Sequence, residues 1–187
     1  MSREIEITNR HSDLRLKRRE LARAISYLDA HFAYTSADWP TLLPAALLRA
    51  KKMAADVPSG ISAVPTGELS ITFHSDAALA KLHGDFLDDP TTTDVITFEG
   101  DEALGHAGDI CVSVDTALTY ATRHNLTFNE ELMRYVIHGW LHLAGYDDLE
   151  PKKKRRMRAA ENRALKILCG AGLLPQFELK PAIKSKR

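Results

Sequence analysis

Two histidines four residues apart carry the clearest chemical signal in the chain. His138 and His142 lie in an apolar run, and a Gly-Tyr-Asp-Asp turn that ends at Asp148 follows them. An α-helix makes one turn in about 3.6 residues, so both imidazoles project from one face about one turn apart. Such a pair can share one small cation such as zinc, although two core histidines satisfied by hydrogen bonds show the same spacing. If a metal binds, the turn can bring Asp147 or Asp148 to it as a further ligand.

The element that must position these histidines is a helix predicted over residues 127–144. Thr127 and Glu130 have the spacing of a capping box, in which each residue bonds to the backbone of the other. Gly145 is well placed to end the helix in a left-handed conformation. Apolar residues recur at helical spacing and predict one face packed on a core: Leu132, Tyr135, Val136, Trp140 and Leu143.

Three motifs in the same order resemble those of a known family. His138 to Asp147 is similar to the signature His-Gly-x-Leu-His-Leu-x-Gly-Tyr-Asp-His of the YbeY endoribonucleases, the bacterial rRNA-maturation RNases. Thr93–Phe98 resembles the family's Pro-Thr-Asp-Val-Leu-Ser-Phe strand, and Gly108-Asp109-Ile110 resembles its Gly-Asp-Ile strand opening. The resemblance spans residues 68–168 and implies a zincin-like fold.

The resemblance also implies the metal site. One Zn²⁺ per chain is expected, bound by His138, His142 and Asp148, with a zinc-bound water as the reactive group. Asp148 stands where the family usually has a third histidine, and carboxylates bind zinc at about the same distance as imidazole. For Asp147 and Asp94, we expect roles that fix a turn or orient a ligand rather than direct contact with the metal.

A second departure from the family lies at Leu87. The family commonly has an arginine at that position, where a guanidinium would clamp a phosphate and stabilise charge developing on it. Leucine can do neither, which favours a protein with weak catalysis.

Charge is unevenly distributed along a chain whose formal net charge is zero. Residues 150–187 hold 12 basic and 3 acidic residues, a net charge of +9, which leaves −9 for the rest. The densest basic run follows Pro151, a residue typical of the first turn of a helix. Because the run begins close to Asp148, we predict that it attracts RNA phosphates rather than forming only a solvated face; its residues are Lys152, Lys153, Lys154, Arg155 and Arg156.

Composition predicts a single domain. The 187 residues, 44% of them hydrophobic, suffice for one core. Two cysteines are too few for a disulfide framework, no apolar run reaches the roughly 18 residues of a membrane span, and the N-terminus does not resemble a signal peptide. We therefore expect a cytoplasmic protein that does not contact a membrane, with a hydrolase domain over residues 1–175 and a loose basic tail over residues 176–187.

The apolar patterns predict an α+β fold in which helices cover a small mixed sheet. Polar and glycine-rich segments separate the predicted elements, and no internal repeat is present. Strands are predicted over residues 4–8, 68–73, 94–98 and 109–114, and helices over residues 13–32, 44–55, 76–84, 115–124, 127–144 and 151–168.

The remaining candidates give weaker signals. Asp109, at a predicted strand start, suits a structural role, and His106 suits an exposed loop. Trp140 and Tyr146 can stack on a base or pack around the helix that carries His138 and His142. The other histidines show no partner spacing and are not expected to bind metal: His11, His31, His74, His83 and His124.

Three classes of function follow. The family resemblance implies a zinc-dependent, single-strand-specific endoribonuclease in rRNA maturation and ribosome quality control, whose partners are single-stranded rRNA and the small ribosomal subunit or its assembly factors. A ribosome-assembly factor that binds RNA with little turnover is the alternative that Leu87 favours. A metalloprotease is disfavoured because Gly139 occupies the position where the His-Glu-x-x-His motif has its general base.

Overall fold

The computed structural model describes residues 3–37 and 63–180, except for the side chains of residues 33–37 and of Leu87. The helix predicted over residues 44–55 and the last residues of the basic tail lie outside this range. The elements follow in the order β1 (Ile5–Asn9), β2 (Leu14–Leu16), α1 (Arg18–Ala37), β3 (Glu68–His74), α2 (Asp76–Leu87), β4 (Val95–Glu99), β5 (His106–Ser113), α3 (Val114–His124), α4 (Phe128–Leu143), α5 (Pro151–Gly170) and β6 (Phe177–Leu179).

The main sheet has four strands in the order β1-β3-β5-β4. The first three strands are parallel, and β4 runs antiparallel to β5. This mixed sheet, covered by helices, confirms the predicted α+β class. Crossovers between parallel strands need long connections, usually helices, and on the described part of the chain these include α1 and α2.

The prediction of a helix from Asp13 and of a loose tail from residue 176 is wrong at both places. Leu14–Leu16 forms strand β2, which pairs antiparallel with β6 at Phe177–Leu179, and α1 begins only at Arg18. The Phe177 side chain is buried, and its backbone N–H donates to Asn129 Oδ1 at 2.9 Å. Local spacing could not show this pairing, because the two strands are far apart in the chain.

Helix α4 is the central helix of the core and agrees closely with its prediction. Thr127 Oγ1 accepts from the Glu130 backbone N–H at 3.3 Å and donates to Glu130 Oε2 at 3.0 Å. Gly145 ends the helix at φ 87°, as predicted, and the Tyr146 N–H donates to the Leu141 carbonyl at 3.0 Å. This turn directs the chain back towards the histidines of α4.

The helix lies very close to the sheet at Gly139. A Cβ there would lie 2.5 Å from Ile110 Cγ2 on β5 and 3.0 Å from Val95 Cγ2 on β4. The position after His138 therefore faces the buried side of α4. Because even a Cβ does not fit there, this packing leaves no room for the glutamate of the His-Glu-x-x-His motif, which is a second argument against the metalloprotease interpretation.

Candidate metal centre and cleft

The structure brings His138, His142 and Asp148 together. The Nε2 atoms of the two histidines are 3.0 Å apart. The Asp148 carboxylate lies 3.9 Å from His138 Nε2 and 3.8 Å from His142 Nε2. Among the described residues these three form a group whose ligand atoms all lie within 4.8 Å of one another, so they could hold a metal ion.

Hydrogen bonds on the far side of each ring decide which nitrogen faces the centre. His138 Nδ1 lies 2.8 Å from Glu161 Oε1, and His142 Nδ1 lies 3.0 Å from the Tyr146 carbonyl oxygen. A carboxylate and a carbonyl oxygen only accept, so each Nδ1 donates and each neutral ring directs its Nε2 lone pair at the other. Two such lone pairs repel at 3.0 Å unless a cation lies between them. The donor set of two imidazoles and a carboxylate fits a divalent metal.

The pKa values of the two histidines move in opposite directions. Burial alone would lower the pKa of His138, but the hydrogen bond to Glu161 and the charges of Asp94, Glu161 and Asp148 raise it overall. Burial and the neighbouring His138 lower the pKa of His142. The surroundings therefore favour a positive charge on His138 and disfavour one on His142.

Three further charged residues on the same side of α4 and α5 were not recognised in the sequence. Arg134 Nε lies 3.4 Å from Glu131 Oε2, and Arg134 Nη1 lies 3.5 Å from Glu161 Oε2. The Glu161 carboxylate thus bridges the guanidinium of Arg134 and the imidazole of His138. Burial raises the pKa of Glu131, whereas the contacts with His138 and Arg134 overcome burial and lower the pKa of Glu161. The sequence did contain one signal for Glu161: its helical spacing with Lys154 and Met157 places the three residues on one face of a helix.

The metal centre opens into a cleft of about 620 Å³. Helix α4 contributes residues at helical spacing from Glu131 to His138, and α5 contributes another series from Lys154 to Asn162. The other walls come from α3 and from the loop before β4. The lining residues are Thr92, Thr93, Asp94, Thr116, Tyr120, Leu126, Glu131, Arg134, Tyr135, His138, Asp148, Lys154, Met157, Arg158, Glu161 and Asn162.

Sequence comparison identifies the family. The sequence model of the family described as Endoribonuclease YbeY matches residues 40–168. The chain belongs to this family. A relative named Endoribonuclease YbeY from Porphyromonas gingivalis is 42% identical over 102 residues, which are 54% of this chain and 68% of the relative. Another of that name, from Chlamydia pneumoniae, is 35% identical over 136 residues, 68% of this chain and 85% of the relative.

A solved structure supports the fold. The solution structure of TM1509 from Thermotoga maritima is similar with a TM-score of 0.52 and 23% identity, over 98% of this chain and 99% of that one. At this identity the likeness concerns the fold alone. Within residues 3–37 and 63–180, no helix is long and apolar enough to cross a membrane.

In this YbeY family member, the two aspartates that we expected to support the site lie in different places. Asp147 accepts from the Leu149 N–H at 2.8 Å and pairs with Lys153 Nζ at 2.7 Å, so it fixes the turn and the start of α5. Asp94 lines the cleft together with His138, and its Oδ1 accepts from the Val95 N–H at 3.0 Å.

The predicted RNA-binding run lies on α5, and only part of it lines the cleft. Lys154 lines the cleft, as does Arg158, one turn further on and outside the predicted set. Lys153 instead pairs with Asp147 and with Glu150, at 2.7 and 3.1 Å. The other three members of the run, Lys152, Arg155 and Arg156, do not line the cleft.

Other candidates from the sequence serve the fold. The Trp140 indole N–H donates to Asp29 Oδ1 at 3.1 Å and its ring meets Phe32 edge-on, so this buried tryptophan packs and cannot stack on a base. His106, expected in an exposed loop, is a half-buried residue at the start of β5, where its Nε2 lies 3.0 Å from Asp109 Oδ2. His11 likewise pairs with Asp115, at 3.1 Å.

Proposed function

We propose that this chain is a zinc-dependent, single-strand-specific endoribonuclease. The observation that carries the proposal is the convergence of His138, His142 and Asp148 at one end of a cleft that Lys154 and Arg158 also line. Two imidazoles with one carboxylate are a common ligand set of hydrolytic zinc sites, and cations beside them attract phosphates. The relatives named Endoribonuclease YbeY support the same reaction class.

The chain's own residues bind and position the RNA. Lys154 and Arg158 form no ion pair with another described residue, so their charges are available to phosphates. Glu161 holds the His138 ring in the orientation that directs Nε2 at the centre. Zinc, when bound, supplies Lewis acidity towards water and towards a phosphoryl oxygen.

We further propose that the substrate is rRNA and that the protein acts in rRNA maturation and ribosome quality control in the cytoplasm, with the small ribosomal subunit or its assembly factors as partners. Membership of the family supports this proposal. Cells that lack the protein should accumulate precursor rRNA, and the protein should co-sediment with small subunits. Normal rRNA ends in such cells would contradict this role.

Purified protein provides the direct test. The parent should contain close to one zinc per chain by elemental mass spectrometry and should cleave a single-stranded rRNA fragment but not a duplex of the same sequence. His142→Ala should lose most of the zinc and the cleavage. The matched control is His83→Ala, because His83 bonds to the Thr91 carbonyl oxygen and does not belong to the metal group.

The assay also separates the alternative functions. RNA that is bound tightly but left intact by zinc-loaded protein would overturn the nuclease proposal in favour of a ribosome-assembly factor. Cleavage of unfolded protein substrates with intact RNA would favour a metalloprotease. Cleavage that persists in His142→Ala at full zinc occupancy would show that the ligands are wrongly assigned.

A further inference from the structure

We propose that the part of the cleft remote from the metal centre binds a nucleobase of the RNA, with Tyr120 as its stacking platform. We call this part the tyrosine arm and define it by Thr116, Tyr120, Leu126 and Asn162. The inference rests on the proposed function, because it names the part of the RNA that this region of the cleft contacts.

The cleft runs along α4 from the metal centre towards the start of the helix. Glu131, Arg134 and His138 line it at helical spacing, and seven residues of helix extend about 10 Å. Leu126 lies before the first turn of α4, so it marks the far end. Helix α3 ends at His124, in the short connection that leads to the start of α4, and the two helices pack together. Tyr120 therefore lies beside the N-terminal half of α4. A volume of about 620 Å³ lies within the range of small-ligand pockets.

The chemistry of the walls changes along this length. Near the metal, Lys154 and Arg158 offer positive charge that suits a phosphate. At the far end, Tyr120 and Leu126 expose 38% and 44% of their surface. The His124 ring lies against one face of the Tyr120 ring, with the ring centroids 4.1 Å apart, so a base would stack on the other face. An exposed aromatic ring beside an exposed apolar side chain suits the flat face of a base, because every base can stack on an aromatic ring.

Polar groups beside this apolar wall can contact the edge of a base. Asn162 Oδ1 accepts from Arg134 Nη1 at 2.8 Å, which leaves the amide N–H groups of Asn162 as donors. Arg134 is held by Glu131 and Glu161, so the acidic residues of the cleft are partly neutralised. A neutral base therefore fits this arm better than a second phosphate, and one nucleotide can span both regions.

The first experiment measures binding without cleavage. Zinc-loaded protein is titrated with AMP and with ribose 5-phosphate, which carries the phosphate but no base. AMP should bind more tightly, and Tyr120→Ala should weaken AMP about tenfold while leaving ribose 5-phosphate unchanged. Tyr120→Phe should keep the parent affinity because the ring is retained. The matched control is Leu118→Ala, since Leu118 is 40% exposed on the same helix and does not line the cleft.

The second experiment measures cleavage of a short single-stranded RNA. With normal RNA, Tyr120→Ala should raise KM about tenfold with little change in kcat. With an RNA that has one abasic nucleotide beside the cleaved bond, the parent and the variant should show the same KM. A parent that cleaves RNA while Tyr120→Ala binds AMP as the parent does would overturn the tyrosine arm alone. A parent that cleaves no RNA but binds AMP through Tyr120 would overturn the proposed reaction and keep the nucleotide site.

Discussion

Glu161 on α5 accepts a hydrogen bond from His138 Nδ1 on α4 at 2.8 Å, and only 8% and 13% of these two side chains are exposed. A carboxylate that accepts from the far nitrogen of a metal-binding histidine fixes its tautomer and raises its basicity. Helix α5 thereby determines how the candidate ligand His138 on α4 presents its lone pair.

Removing this carboxylate should weaken metal binding. We expect Glu161→Ala to lower zinc affinity about 10- to 100-fold and Glu161→Gln to lower it less, because the amide oxygen still accepts from Nδ1. Competition with a fluorescent chelator measures the change. Glu130→Gln removes the same charge from a half-buried site on α4 that lies outside the metal group and should keep the parent affinity. Equal affinities of the parent and Glu161→Ala would assign Glu161 a role in packing only.

The two adjacent aspartates of the turn should respond differently to substitution. Asp148→Ala removes a candidate ligand and should reduce zinc occupancy far more than Asp147→Asn, because Asp147 bonds to Leu149 and Lys153. Asp148→His should retain the metal, since imidazole replaces one zinc ligand with another. Zinc content per chain after dialysis measures these outcomes. A larger loss in Asp147→Asn would transfer the ligand role to Asp147.

The structure divides the basic residues of α5 into two sets that a salt titration can separate. The Lys154→Gln/Arg158→Gln double variant should flatten the dependence of log affinity for single-stranded RNA on log salt by about 1.4, which is roughly 0.7 for each of two lost phosphate contacts. The matched control, Lys152→Gln/Arg155→Gln, removes the same charge from exposed residues that do not line the cleft. Equal slopes for both double variants would show that the charge acts without regard to position.

Glu131 should make stability depend on pH. Its side chain is 3% exposed. Burial raises its pKa above the ordinary value of 4.5 despite the neighbouring Arg134, and the charges of Glu161 and Asp94 also raise it. Because the folded protein then binds a proton more strongly than the unfolded chain does, this carboxyl lowers stability progressively as the pH rises from 4.5 through its folded pKa.

Glu131→Gln should therefore increase the free energy of unfolding at neutral pH, and the increase should disappear below the ordinary pKa of glutamate. Urea denaturation of the metal-free protein at several pH values measures the difference from the parent. Glu130→Gln, at a half-buried position of the first turn of the same helix, should show no such pH-dependent gain. A loss of stability at neutral pH in Glu131→Gln would mean that the ion pair with Arg134 outweighs the cost of burial.

The sequence by itself determined the helix that carries the paired histidines and the class of the fold. The spacing of His138 and His142, the cap at Thr127 and the stop at Gly145 are local features, and local geometry controls them. The same applies to the alternating strands of the main sheet. These segments, together with the family motifs, were sufficient to predict an α+β protein with a paired-histidine centre.

Only the tertiary structure decided which groups surround that centre. Glu161 meets His138 across two helices, and Phe177–Leu179 pairs with Leu14–Leu16 from the other end of the chain. Such contacts depend on how distant segments pack, and neither helical nor strand periodicity encodes them. Packing also separated Lys154 from its neighbours in the basic run, because adjacent residues of a helix point about 100° apart and only one face of α5 borders the cleft.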